Sequence, residues 1–169
     1  AAAAICGPSF QLAEGPNEAG TAFVLEHPGQ KGQKLLLTAH HLFGPDGGVE
    51  PQISWQALPK AVSGVTCESL QPPVWQVRAG RPFAVKDAKS YAEEGPKKDL
   101  VVFALKTPIQ ALSLASADAK VGDTVWLVAR ARSGAEPSQL LHKARVVEVS
   151  PDQLVYAYDN SALGLGGSS

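Results

Sequence analysis

Thr21-Ala22-Phe23-Val24-Leu25, the turn His27-Pro28-Gly29-Gln30-Lys31-Gly32, and Lys34-Leu35-Leu36-Leu37-Thr38-Ala39 follow one another in the sequence. Two short apolar runs joined by a turn rich in glycine and proline predict a β-hairpin. The same pattern recurs on both sides. Ile53-Ser54-Trp55-Gln56-Ala57 and Val74-Trp75-Gln76-Val77-Arg78 alternate apolar and polar residues, as half-buried strands do. Leu100-Val101-Val102-Phe103-Ala104-Leu105 is nearly all apolar and reads as a strand buried on both faces. Thr124-Val125-Trp126-Leu127-Val128 is another strand. Ala144-Arg145-Val146-Val147-Glu148-Val149 and Gln153-Leu154-Val155-Tyr156-Ala157-Tyr158 form a second hairpin across Ser150-Pro151-Asp152. No segment keeps a helical period over three turns. Residues 111–120 read either as a short helix or as a plain crossover. The expectation is an all-β chain, with a first half over 7–105, a crossover over 106–120 and a second half over 121–169.

Composition narrows the function classes. In 169 residues there are 15 Lys and Arg against 16 Asp and Glu, a net charge of −1, and the isoelectric point is about 6.5. A nucleic-acid binder needs a basic stripe, which this balance does not supply. Hydrophobic residues are 44% and charged residues 18%, a globular rather than a disordered composition. The 16 Gly and 13 Pro cluster between apolar runs, which favours short strands and turns over long helices. The longest apolar runs, 1–6 and 100–105, are too short to cross a bilayer. Methionine is absent, and the start Ala1-Ala2-Ala3-Ala4 resembles the small residues that flank secretory cleavage sites, so a secreted or periplasmic protein is expected. Cys6 and Cys67 are compatible with one disulfide and equally with two buried thiols.

Three sites carry candidate chemistry, in chain order. Leu37-Thr38-Ala39-His40-His41 places an imidazole pair at a strand end. Lys98-Asp99-Leu100-Val101-Val102 places an acid at a strand start. Leu165-Gly166-Gly167-Ser168-Ser169 is a glycine-rich turn ending in serine. A serine hydroxyl is a weak nucleophile without an adjacent base, and an imidazole steered by a buried carboxylate supplies one. Each piece also has a plainer reading. A His-His pair can bind metal, but no further ligand lies at suitable spacing, so no metal or other cofactor is expected. Asp99 can be a turn residue after Gly95-Pro96-Lys97-Lys98. The glycine-serine stretch can be a flexible tail, and Ser168 is the fallback nucleophile. Asp123, His142 and Asp159 read as surface or turn residues.

Together these motifs resemble the trypsin-like (chymotrypsin-fold) serine peptidases, particularly bacterial secreted members. Gly20-Thr21-Ala22-Phe23 is similar to the family's G-[ST]-[AG]-F strand. Thr38-Ala39-His40-His41 is similar to T-A-x-H, and Asp99-Leu100-Val101-Val102 to the D-[IL]-A-[LV] around the acid. Gly122-Asp123-Thr124-Val125 is similar to the opening of the second barrel, and Gly167-Ser168-Ser169 to the start of G-x-S-G. The resemblance implies two six-stranded Greek-key β-barrels, the second incomplete in this chain. It implies a serine endopeptidase acting on peptides or proteins, with His41 as general base and acid, Asp99 orienting it, and Ser169 as nucleophile. The N–H groups of Gly167 and Ser169 would then form the oxyanion hole. Leu163 would lie at the floor of the primary pocket, which favours an apolar or small side chain before the cleaved bond. No Ile-Val-Gly-Gly-like start is present, so activation by terminal insertion is not expected. The family pattern continues past the nucleophile, so a separate C-terminal fragment completing the second barrel is an expected partner. A chain truly ending at Ser169 is expected to be inactive. The alternative is a catalytically silent binding or scaffold protein built on the same fold.

Overall fold

The computed structural model describes residues 2–70, 72–94, 98–128, 141–151 and 153–158. The chain divides into two compact units, one over Ala3–Leu114 and one from Ala115 onward. Strands dominate both units, so the chain is all-β in class. No helix among the described residues is long and apolar enough to cross a membrane.

The first unit holds strands β1 (Ile5–Leu12), β2 (Gly15–Glu18), β3 (Ala22–Glu26), β4 (Lys34–Thr38), β5 (Val62–Ser69), β6 (Gln76–Ala79) and β7 (Val101–Leu105). Two four-residue helices, α1 (Leu58–Ala61) and α2 (Tyr91–Glu94), lie in the connections. The strand order is β6-β5-β1-β3-β4-β7, and β2 pairs with the far half of β1. Every strand pairing in this sheet is antiparallel. The sheet curls, because the Phe83 N–H after β6 donates to the Val102 carbonyl of β7 at 2.8 Å. That bond draws the two ends of the strand order together and shields edges that would otherwise stay open.

Alternation sets the core. Ala22 and Val24, Leu36 and Thr38, and Val101, Phe103 and Leu105 face inward from β3, β4 and β7. Phe10 packs on Phe43 with centroids 4.5 Å apart and on Phe103 at 6.3 Å. Apolar burial of this kind supplies most of the favourable free energy of folding. Cys6 and Cys67 are fully buried and joined as a disulfide between β1 and β5.

Two expectations are corrected, two strands appear where none was read, and the open reading of 111–120 is narrowed to the crossover. β7 is buried on one face only, since Ala104 is exposed while Val101, Phe103 and Leu105 are not. Residues 53–57 do not form a strand. The Ser54 carbonyl accepts from both Ala57 and Leu58, and Pro59 lies in the first turn of the helix α1, where its missing N–H does no harm. Strands β1 and β5 occupy stretches that did not read as strands. Residues 111–120 hold no helix; Leu112 is extended and bridges Leu25, exchanging bonds of 2.8 Å with Val24 and Glu26.

The second unit holds β8 (Thr124–Val128), β9 (Leu141–Val149) and β10 (Leu154–Tyr158), antiparallel in the order β10-β9-β8. The Ser150 N–H donates to the Gln153 carbonyl at 2.8 Å and closes the β9–β10 turn. Along β9, His142, Ala144 and Val146 are buried and their neighbours exposed. His142 is therefore an inward residue of a strand and not a surface residue. Asp123 is an exposed turn residue whose carboxylate accepts from the Lys120 N–H at 2.9 Å. Tyr156 and Tyr158 meet edge to face on β10. Burial, helped by a hydrogen bond with Tyr156 that favours the protonated form, pushes the Tyr158 phenol up to about 12.

Candidate active site

Strands β4 and β7 pair with Thr38 opposite Val101. The pairing stops there, and the chains diverge at the same end of the sheet. His41 follows β4 and Asp99 precedes β7, so antiparallel register alone brings these distant residues to one place. Thr38 anchors the end of β4, because its buried hydroxyl donates to the Thr21 carbonyl at 2.8 Å.

Beyond Thr38 the chain leaves the strand. Ala39 is extended, and His40–Phe43 forms a 3-10 turn closed by the Gly44 N–H on the His41 carbonyl. The turn presents the two imidazoles differently. His40 is 1% exposed, whereas the His41 side chain is 14% exposed. The 3-10 turn, and not strand alternation, separates the two rings, because β4 has already ended at Thr38.

One carboxylate holds His41 twice. The His41 backbone N–H donates to Asp99 Oδ1 at 2.8 Å, and His41 Nδ1 lies 2.6 Å from Oδ2. The Asp99 side chain is only 6% exposed. An ionised carboxylate accepts but cannot donate, so the hydrogen of this contact belongs on Nδ1. Nε2 is then the ring atom with a lone pair, the arrangement a general base requires. One bond fixes the His41 backbone and the other its ring on the same carboxylate, which lowers the entropy cost of a reaction at Nε2.

A second layer lies around the turn. Gln52 Nε2 donates to the His40 carbonyl at 3.2 Å and to the Ile53 carbonyl at 3.5 Å, and lies 3.5 Å from His40 Nδ1. Glu93 accepts from the N–H and hydroxyl of Ser90 at 3.1 and 3.2 Å, bracing the start of α2. The sequence reading did not single out Gln52 or Glu93. The spacing Ser90-x-x-Glu93 is a legible helix-start signal; Gln52 carries no local signal at all.

Gly44 makes room for Gln52. A Cβ at Gly44 would sit 1.9 Å from Gln52 Oε1, so Gly44→Ala must expel that side chain. The expected result is a loss of about 1–3 kcal/mol in urea unfolding. His40 gives a second expectation. Burial holds its imidazolium below the ordinary histidine range, against the pull of the Asp99 and Glu93 carboxylates. The unfolded chain therefore binds a proton at His40 more readily than the folded one. Stability should fall as pH drops through the ordinary histidine range. In urea titrations at stepped pH, the difference between wild type and His40→Leu should follow that sign.

The structure thus brings His41 and Asp99 together. Ser169, Gly167, Leu163, Ser168 and Asp159 lie outside the described residues. Among the described residues no cluster of three or more His, Cys, Asp or Glu is arranged to hold a metal ion. Compared with known proteins, the chain matches no family model and no curated sequence.

Proposed function

We propose that the protein is a serine endopeptidase of the trypsin-like type, working through an acyl-enzyme. The observation that supports this reading is the Asp99 carboxylate holding both the backbone N–H and Nδ1 of His41. In the proposed reaction Nε2 of His41 takes the proton of the Ser169 hydroxyl as its oxygen attacks the peptide carbonyl. The N–H groups of Gly167 and Ser169 receive the developing negative charge. His41 then hands the proton to the leaving amine, and the peptide C–N bond breaks. Water then attacks the acyl carbon as Nε2 takes its proton, the bond from that carbon to the Ser169 oxygen breaks, and Nε2 returns the proton to the serine oxygen as the acid leaves. Asp99 stays ionised throughout and stabilises the imidazolium.

The architecture belongs to the same proposal. Two Greek-key barrels of the chymotrypsin type accommodate a curled first sheet with its histidine and acid at one end, and a second unit of antiparallel strands. Leu163 as pocket floor favours substrates with an apolar or small residue before the cleaved bond. Export from the cytoplasm is proposed from the buried disulfide, since such bonds persist in oxidising compartments.

Labelling with a fluorophosphonate tests the reading. In the intact mature protein the reagent should bond to Ser169, as located by peptide mass spectrometry, and His41→Ala should abolish the label. A folded protein that never labels and cleaves no peptide library is a binding or scaffold protein instead.

A further inference from the structure

The peptide bond between His40 and His41 is held at both ends. Its N–H, that of His41, donates to Asp99 Oδ1 at 2.8 Å. Its carbonyl, that of His40, accepts from Gln52 Nε2 at 3.2 Å. A trans peptide is planar and sends these two groups in opposite directions. Asp99 therefore grips the plane from one side and Gln52 from the other. The Gln52 amide is itself fixed. Its nitrogen also serves the Ile53 carbonyl at 3.5 Å. Carbonyls only accept, so the NH₂ and not the oxygen must face them, and both its hydrogens are given there. The Gln52 oxygen lies over Gly44, which closes the turn, in the space where a side chain would begin. Beside it the Ile53 N–H donates to the Phe43 carbonyl at 2.9 Å, so the loop that carries Gln52 is tied to the same turn.

We propose that Gln52 is a positioning residue of the candidate active site, which together with Asp99 locks the plane of the His40–His41 peptide and so sets the direction of the His41 ring. The inference rests on the reading of His41 and Asp99 as a catalytic pair. Asp99 alone leaves a pivot. It holds the N–H and Nδ1 of one residue, so His41 and the carboxylate can tilt together without breaking either bond. Gln52 holds the far end of the same plane from another loop, and any tilt must then stretch or break its bond to the His40 carbonyl. The grip decides where Nε2 points and not which ring nitrogen carries the hydrogen, because Asp99 keeps that hydrogen on Nδ1. Direction matters steeply for a proton transfer: a misplacement of about 1 Å can cost about a hundredfold in rate.

Gln52→Met tests the lock, since methionine keeps the length and bulk of the side chain and donates nothing. Gln52→Glu, of the same shape and equally unable to donate at pH 8, is the second variant. Amide hydrogen exchange followed by NMR gives the reading without reference to turnover. Relative to the core amides of β5, the His41 N–H should exchange about fivefold faster in both variants, the factor one ordinary hydrogen bond is worth. A role in stability alone would speed both sets of amides equally and leave the ratio unchanged. Imidazole ¹⁵N shifts should still show the hydrogen on Nδ1. Peptide cleavage should lose about tenfold in kcat with KM unchanged. The proposal is overturned if either folded variant keeps the wild-type exchange ratio, if the ring hydrogen moves to Nε2, or if a wild type that cleaves peptides has the same kcat as Gln52→Met. Fluorophosphonate labelling of the wild type judges the peptidase reading separately: a protein that fails to label but shows the changed exchange ratio keeps the locked peptide and loses the enzyme.

Discussion

Asp99→Asn should leave the fold intact and slow peptide cleavage by about 10⁴-fold, the effect typical of this exchange in an Asp-His-Ser arrangement. That factor corresponds to about 5 kcal/mol of barrier. The reason lies in how the one carboxylate is used. Oδ1 accepts the His41 N–H and Oδ2 accepts Nδ1–H. Asparagine has nearly the same shape but only one oxygen. The His41 backbone N–H can only donate, so it claims that oxygen. The amide NH₂ then faces Nδ1, which must become an acceptor. The ring hydrogen moves to Nε2, and the lone pair that would take the serine proton disappears.

The signature is specific. Asp99 is 6% exposed and makes its contacts with His41, so KM should change little while kcat collapses. Imidazole ¹⁵N shifts should show Nε2 protonated in the variant and Nδ1 protonated in wild type. Thermal unfolding should differ little between the two, because the backbone bond to His41 survives. A variant retaining a tenth or more of wild-type kcat would remove Asp99 from the mechanism, and with it the strongest support for the peptidase reading.

What could be read in advance follows from how local each signal is. The β3–β4 hairpin was legible because Phe23 to Val24 and Leu35 to Leu37 are apolar and a turn sequence separates them. β5 was not, because its inward set breaks the two-residue period. Gln11 pairs with Gly64 and Leu12 with Val62, skipping Ser63, so Val62, Gly64 and Val65 are all buried. Such a bulge hides a strand among serine and glycine that otherwise suggest a loop. β1 was masked by Pro8 and the preceding alanines. His41 and Asp99 were found because both border legible strands. Their meeting depends on Thr38 lying opposite Val101, a nonlocal register no single stretch encodes. The inward turn of His40 and the clamp of Gln52 depend on β4 ending at Thr38, which the run Lys34 to Ala39 does not announce.

Replacing both Cys6 and Cys67 with alanine should cost about 4 kcal/mol of stability, the chain-entropy value for a closed loop of this size. The bond spans 61 residues and joins β1 to β5, with both sulfurs in the core. It holds the unfolded chain far more tightly than the folded one, where Pro8 already pairs with Cys67 and Cys6 with Ser69. The loss corresponds to a fall of about 8–16 °C in Tm. Calorimetry of wild type with and without reductant should show the same shift, since reduction removes the same restraint. The consequences extend to the site. β1 also pairs with β3 through Ile5 opposite Phe23 and Cys6 opposite Ala22, and the neighbouring Thr21 carbonyl anchors Thr38 at the base of the histidine turn. The variant should therefore keep the His41–Asp99 contact at low temperature and lose it well below the wild-type midpoint, together with amide protection along β1 and β5. An unchanged Tm would mean that register and core alone hold β1 to β5, and would withdraw the disulfide as an argument for an oxidising compartment.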